Sequence, residues 1–122
     1  MTALSLARSA YGMATDPTRP PRAAEYDAFA RVTAGLKSAQ SGPLPARAAA
    51  LHDNRRLWAA LAADVAQPGN ALPDALRARI LFLADFIRQH SRAALTGTAD
   101  CAPLIEINTA VMRGLTGTEP AA

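Results

Sequence analysis

The side chains of this sequence best suited to metal, acid–base or nucleophilic chemistry are His52, His90, Ser91 and Cys101. Their spacing assembles none of it. Neither of the two histidines has a Cys, His, Asp or Glu three or four residues further on, and HExxH is missing, so no metal site is predicted. His90 and Ser91 invite a reading as base and nucleophile, but adjacent residues on a helix point about 100° apart and do not face each other. Cys101 follows Asp100, where a helix start would slightly perturb a thiol; a loop cysteine without a chemical role is the plainer reading. There is no GxGxxG and no GxxxxGKS/T to cradle phosphates. The expectation is a protein that is not an enzyme and takes no cofactor.

A second group of residues is suited to recognition. Leu44, Leu51, Trp58 and Val65 recur every seven residues, and Leu61 follows one turn after Trp58. On a helix they form one stripe of the kind that packs against neighbouring helices. Asn54 and Arg55 fall between Leu51 and Trp58 and border or interrupt that stripe. A buried amide or guanidinium is costly unless partnered. The partner lies either on another helix or on another protein.

These residues need elements to hold them, and the pattern predicts helices throughout. Half of the residues are hydrophobic but only 5% aromatic. Alanine supplies much of the apolar content and is the best helix former, and no run alternates as a strand would. Leu4, Ala7 and Tyr11 allow a short amphipathic helix that is marginal alone in water. TDPTRPPR, Thr15 to Arg22, is a Pro-rich linker that no helix crosses. A helix then runs from Pro21 to about Ser41, burying Tyr26, Phe29, Val32, Thr33 and Leu36 and exposing Arg31, Lys37 and Gln40. The next runs from Pro45 to about Gln67, where Pro68-Gly69-Asn70 breaks the chain.

The third long helix starts near Pro73 and ends near Leu95, closed by Gly97. Its middle, Ile80 to Ile87, is apolar on every side except Asp85, which suits the centre of a bundle or the underside of a partner. A shorter helix follows, capped by Asp100 with Pro103 in its first turn. Leu104, Ile107, Val111 and Leu115 make one stripe along it, Ile105 and Met112 another. The expected fold is all-α: a small antiparallel bundle of three long helices plus a shorter C-terminal one, with a short N-terminal helix allowed. One domain covers residues 1–122, divided into an N-terminal segment and linker (1–20), the bundle (21–115) and a tail (116–122).

Charge and cysteine usage bound the partners. The net charge is +3, but the basic residues are nearly all arginine and scattered, with no run longer than Arg55-Arg56, a weak footprint for nucleic acid. A helix-turn-helix reading of the Pro45 and Pro73 helices fails because its recognition helix would be the apolar one. Direct nucleic-acid contact is therefore not expected. One cysteine excludes an internal disulfide and fits a reducing cytosol. No segment approaches the roughly 20 apolar residues of a membrane span, and the N-terminus lacks the apolar core of a signal peptide. A cytoplasmic protein is expected.

The blocks LHDNRRLWAALAAD, GNALPDALRARILFLADFI and PLIEINTAVMRGL closely resemble the FlaF family of alphaproteobacterial flagellar biosynthesis regulators. Ala10-Tyr11-Gly12 and the helix with Glu25, Val32, Thr33 and Leu36 resemble its opening, so the likeness covers roughly residues 10–115. The resemblance implies a factor required for flagellin to be made and secreted, binding flagellin in the manner of a secretion chaperone. It also implies action beside a second regulator, FlbT, associated with flagellin messenger RNA.

The residues are compatible with that implication. The helical terminal segments of flagellin have apolar faces that need cover before export, and a bundle with surplus apolar surface can supply a groove. The groove is expected between the Pro45 helix and the C-terminal helix, with Asn54, Arg55, Trp58, Leu61, Ile105, Ile107 and Met112 as partner-binding candidates. The Leu4–Tyr11 segment is a candidate occupant when flagellin is absent. Opposed to this, Trp58 is a core residue, and Asn54 and Arg55 form a buried clasp with Glu106 that fixes helix register. An adaptor acting on flagellin translation through FlbT or messenger RNA is the alternative function, and homodimerisation would also use spare apolar surface.

Overall fold

Four helices account for nearly all of residues 21–116, the part of the chain that the computed structural model describes, with side chains from Tyr26 to Gly114. They are α1 (Pro21–Ala39), α2 (Leu44–Val65), α3 (Asp74–Thr96) and α4 (Ala102–Thr116). No strand occurs among the described residues. The helix expected over Leu4–Tyr11 and most of the Pro-rich linker lie outside them, as does the tail beyond Thr116.

Proline and glycine punctuate the helices as their backbone constraints require. Pro21 opens α1, where a missing N–H costs nothing. Pro43 and Pro73 stand in extended conformation immediately before α2 and α3. Gly97, with φ of 85°, ends α3 in the left-handed region. There the Thr98 N–H donates to Ala93 O at 3.0 Å and the Gly97 N–H to Ala94 O at 3.3 Å, the paired bonds of a Schellman cap. Side chains complete the other ends. Arg77 donates to the carbonyls of Val65, the last residue of α2 (2.8 Å), and of Gln67 in the turn that follows (3.2 Å). Asp100 Oδ1 accepts from the Ala102 N–H at 2.9 Å and so caps α4.

Packing follows a ring. α1 lies against α2 and α4, α2 lies against α1 and α3, and α3 meets α4 only along a thin seam. With 15 residues, α4 is about 22 Å long at 1.5 Å per residue, while the 23 residues of α3 span about 35 Å. α4 therefore spends its apolar stripe on α1, and much of α3 has α2 as its sole neighbour.

The core forms where α1, α2 and α4 converge. Phe29, Val32 and Leu36 of α1 meet Leu51, Leu57, Trp58, Leu61 and Val65 of α2 and Leu104 of α4. Phe29 and Trp58 pack edge to face, centroids 5.9 Å apart at 87°, the arrangement that ring quadrupoles favour. From α3 only Ile87, Ser91 and Ala94 are fully buried.

Two expectations are corrected here. α3, the most apolar helix in its middle, is not at the centre of the bundle: Leu76, Leu81, Phe82, Phe86 and Leu95 are exposed, Phe82 to 72%. Leu44, expected in the buried stripe of α2, is the first residue of that helix and is 52% exposed. Tyr26 is half-buried, whereas Phe29, Val32, Thr33 and Leu36 are buried as their spacing predicts.

Candidate partner-binding groove

Two arrangements sit on either side of Trp58: a polar knot inside the bundle and an open groove outside it. The knot joins α2 and α4 across the core. The Trp58 indole N–H donates to Asn108 Oδ1 at 2.9 Å, and Asn108 Nδ2 donates to Asn54 Oδ1 at 2.8 Å. An indole can only donate, so it fixes the Asn108 amide with its oxygen toward Trp58 and its nitrogen toward Asn54, which in turn fixes the Asn54 oxygen. The Asn54 Nδ2 is left buried without a partner, as is the Thr33 hydroxyl. Such an orphan donor costs on the order of 1–3 kcal/mol.

The tie from Asn54 therefore runs to Asn108 and not to Glu106. Glu106 is exposed, because residues two apart on a helix lie on opposite sides and Asn108 faces inward. Arg55 is exposed too and takes no part in the knot. Asn108 was legible as an amide within an apolar stripe, four residues after Leu104 and three before Val111. No comparable signal in the sequence pairs it with Trp58.

The groove lies between α2 and α3, not between α2 and α4. It is an open cleft of about 540 Å³, a volume within the roughly 300–1,000 Å³ typical of ligand pockets. From α2, His52, Arg55, Arg56, Ala59 and Ala62 share one face at helical spacing, with Trp58 behind them. From α3 come Leu81, Ala84, Asp85, Ile87 and Arg88. Ala59, Ala62 and Ala84 explain why there is space: three methyl groups stand where longer side chains would have met. Phe82 and Phe86 are exposed on the same helix, and Phe86 stacks on His90 at 5.4 Å.

Of the candidates expected from the sequence, Arg55 and Trp58 line this groove. Asn54 and Leu61 are buried in the bundle, and Ile105, Ile107 and Met112 are half-buried against the core, outside the groove. The contribution of α3 was missed because its apolar middle reads equally as core; only packing shows which side α2 leaves uncovered.

Two of the chemistry-bearing side chains, His90 and Ser91, are held in structural bonds. The Ser91 hydroxyl is buried and donates to Ile87 O, while His90 Nε2 donates to Asp100 O at 2.8 Å, so the two do not act on each other. Cys101 is buried; its thiol is pushed above its ordinary value of 9.0 by burial, with Arg47 opposing and Asp100 adding to the rise. No group of three His, Cys, Asp or Glu among the described residues could hold a metal ion, and no described helix is long and apolar enough to cross a membrane.

Comparison with known proteins gives one family. The model of the flagellar protein FlaF matches residues 7–115, a span that takes in all four helices almost to the end of α4. Neither the curated proteins nor the solved structures yield a match.

Proposed function

The chain belongs to the FlaF family of flagellar proteins, and from that membership we propose that it binds flagellin as a secretion chaperone and promotes flagellin synthesis and export. One observation supports this beyond the family: the exposed apolar side of α3, with Leu81, Phe82 and Phe86 beside an open groove. Large aromatics left in water gain nothing for the folded monomer, and clustered exposure of this kind marks an interaction surface. A groove between two helices suits an amphipathic helix laid along it, read through anchors at i, i+3, i+4 and i+7. An unassembled filament subunit, with apolar helical faces that assembly will later cover, is a fitting occupant.

The test is co-expression with flagellin followed by affinity capture of this chain at low and high salt. Flagellin is expected to co-elute at both, because burial of apolar surface does not weaken with salt as phosphate contacts do. Hydrogen exchange on the captured complex should show added protection in α2 and α3. Capture of FlbT or messenger RNA at low salt only, with no flagellin at any salt, would replace this reading with the translational adaptor.

A further inference from the structure

We propose that the α2–α3 groove selects an amphipathic helix whose apolar stripe is bordered by carboxylates. The inference rests on the chaperone reading for the partner's origin but takes its chemistry from the groove alone. The floor is apolar and small: Trp58, Ala59, Ala62, Ala84 and Ile87 leave room for inserted side chains. The rim is cationic. Arg55, Arg56 and Arg88 stand against the single Asp85, with His52 beside them. Asp85 pairs with Arg88 at 2.8 Å, so those two charges offset each other, and it also accepts from Gln89 at 2.8 Å; the rim's excess positive charge lies on the α2 side, at Arg55. Arg55 is exposed, and no bond to a described residue holds its guanidinium.

Length also fits. His52 to Ala62 covers ten residue steps, about 15 Å of helix axis. That accommodates roughly three turns of a docked helix and its i, i+3 or i+4 and i+7 anchors. An apolar floor with a charged rim is the usual division of labour at an interface: the floor supplies affinity, the rim partner choice and association rate.

Charge decides between occupants. Residues 1–20 of this chain carry Arg8 and Arg19 against Asp16, so the chain's own N-terminal segment brings the wrong sign to an arginine rim. A second copy brings a net charge of +3 and an identical rim. A nucleic acid has the right sign, but its phosphates would gain nothing from an alanine and isoleucine floor. An acid-bordered apolar helix satisfies both floor and rim.

The experiment titrates the full chain with two labelled 15-residue helical peptides that share one leucine stripe at i, i+3, i+4 and i+7. One is bordered by glutamates and the other by lysines, and binding is followed by anisotropy. The glutamate peptide is expected to bind at least ten-fold more tightly. Arg55→Glu should remove most of that preference, and Ala59→Phe, which fills the floor at an exposed position, should weaken the glutamate peptide ten-fold or more. Circular dichroism of both variants should match the parent. Equal binding of the two peptides, binding of neither, unchanged affinity in Ala59→Phe, or displacement of the glutamate peptide by an oligoribonucleotide would each overturn the proposal. Co-expression separates it from the chaperone reading: flagellin carried equally by the parent and by Ala59→Phe defeats the groove and spares the chaperone. A groove that takes the glutamate peptide in a chain that captures no flagellin does the reverse.

Discussion

Asn108 holds together two residues that sit four apart on a different helix, and it does so where no water reaches. Replacing it by leucine keeps the volume but strands the Trp58 N–H, and deprives Asn54 of its one partner. With about 1–3 kcal/mol for each orphaned buried group, Asn108→Leu should cost roughly 2–4 kcal/mol in a urea melt. A loss under about 0.5 kcal/mol would mean that the knot relaxes to other partners. Cys101 makes the second residue-scale prediction. Its folded thiol titrates above 9.0 because burial disfavours the thiolate. Between the unfolded and folded values the unfolded chain has lost a proton that the folded one keeps, so stability is fully present below about pH 9 and declines above it. Cys101→Ser should flatten that alkaline decline, measured as melting temperature from pH 8 to 10.5. Before either measurement, the sequence had already marked Asn54 and Arg55 as needing a partner, with Glu106 or another protein as the alternatives; Asn108 was not among them, because spacing along one helix says nothing about which residue of another helix arrives opposite.

At the scale of elements, glycine positions separate local from tertiary causes. Gly97 closes α3 at φ of 85°, which an L-residue with a Cβ adopts at a cost of roughly 1–2 kcal/mol. Gly35 lies inside α1 with helical φ, and a Cβ added there meets nothing within 4 Å. Gly97→Ala should therefore destabilise by about 1 kcal/mol or more, and Gly35→Ala should stabilise by about 0.5–1 kcal/mol. Opposite signs from one chemical change, read by thermal denaturation, check that the α3 cap is set by backbone geometry and not by packing. Helix boundaries were legible to within two residues for α1 to α3 because Pro, Gly and Asn act locally: Gly42-Pro43 ends one helix and starts the next, and Pro68-Gly69-Asn70 breaks the chain before α3. The ranking of the helices was not legible. ILFLADFI suits either the centre of the bundle or the underside of a partner, and only the packing shows that it lies at the bundle's flank.

The described residues form a ring of four helices with one thin seam, and that closure leaves apolar surface on α3. A hydrophobic dye such as ANS should bind the native protein. Phe82→Ser should remove much of that signal while leaving the melting temperature within about 2 °C, since Phe82 is 72% exposed, whereas Phe86→Ser should also cost some stability, because that ring is 38% exposed and stacks on His90. Both substitutions should reduce flagellin capture. A melting temperature that falls sharply in Phe82→Ser would instead make this face part of the monomer's own stability.

The helical class, the helix limits and the apolar faces of α1 and α2 follow from the sequence by itself, because propensity, periodicity and breakers act over a few residues. The amide that receives Trp58, the exposure of α3 and the placing of the groove between α2 and α3 instead of between α2 and α4 were decided only in the tertiary structure. Each depends on which faces of two helices meet, and α4 is too short to cover both α1 and α3.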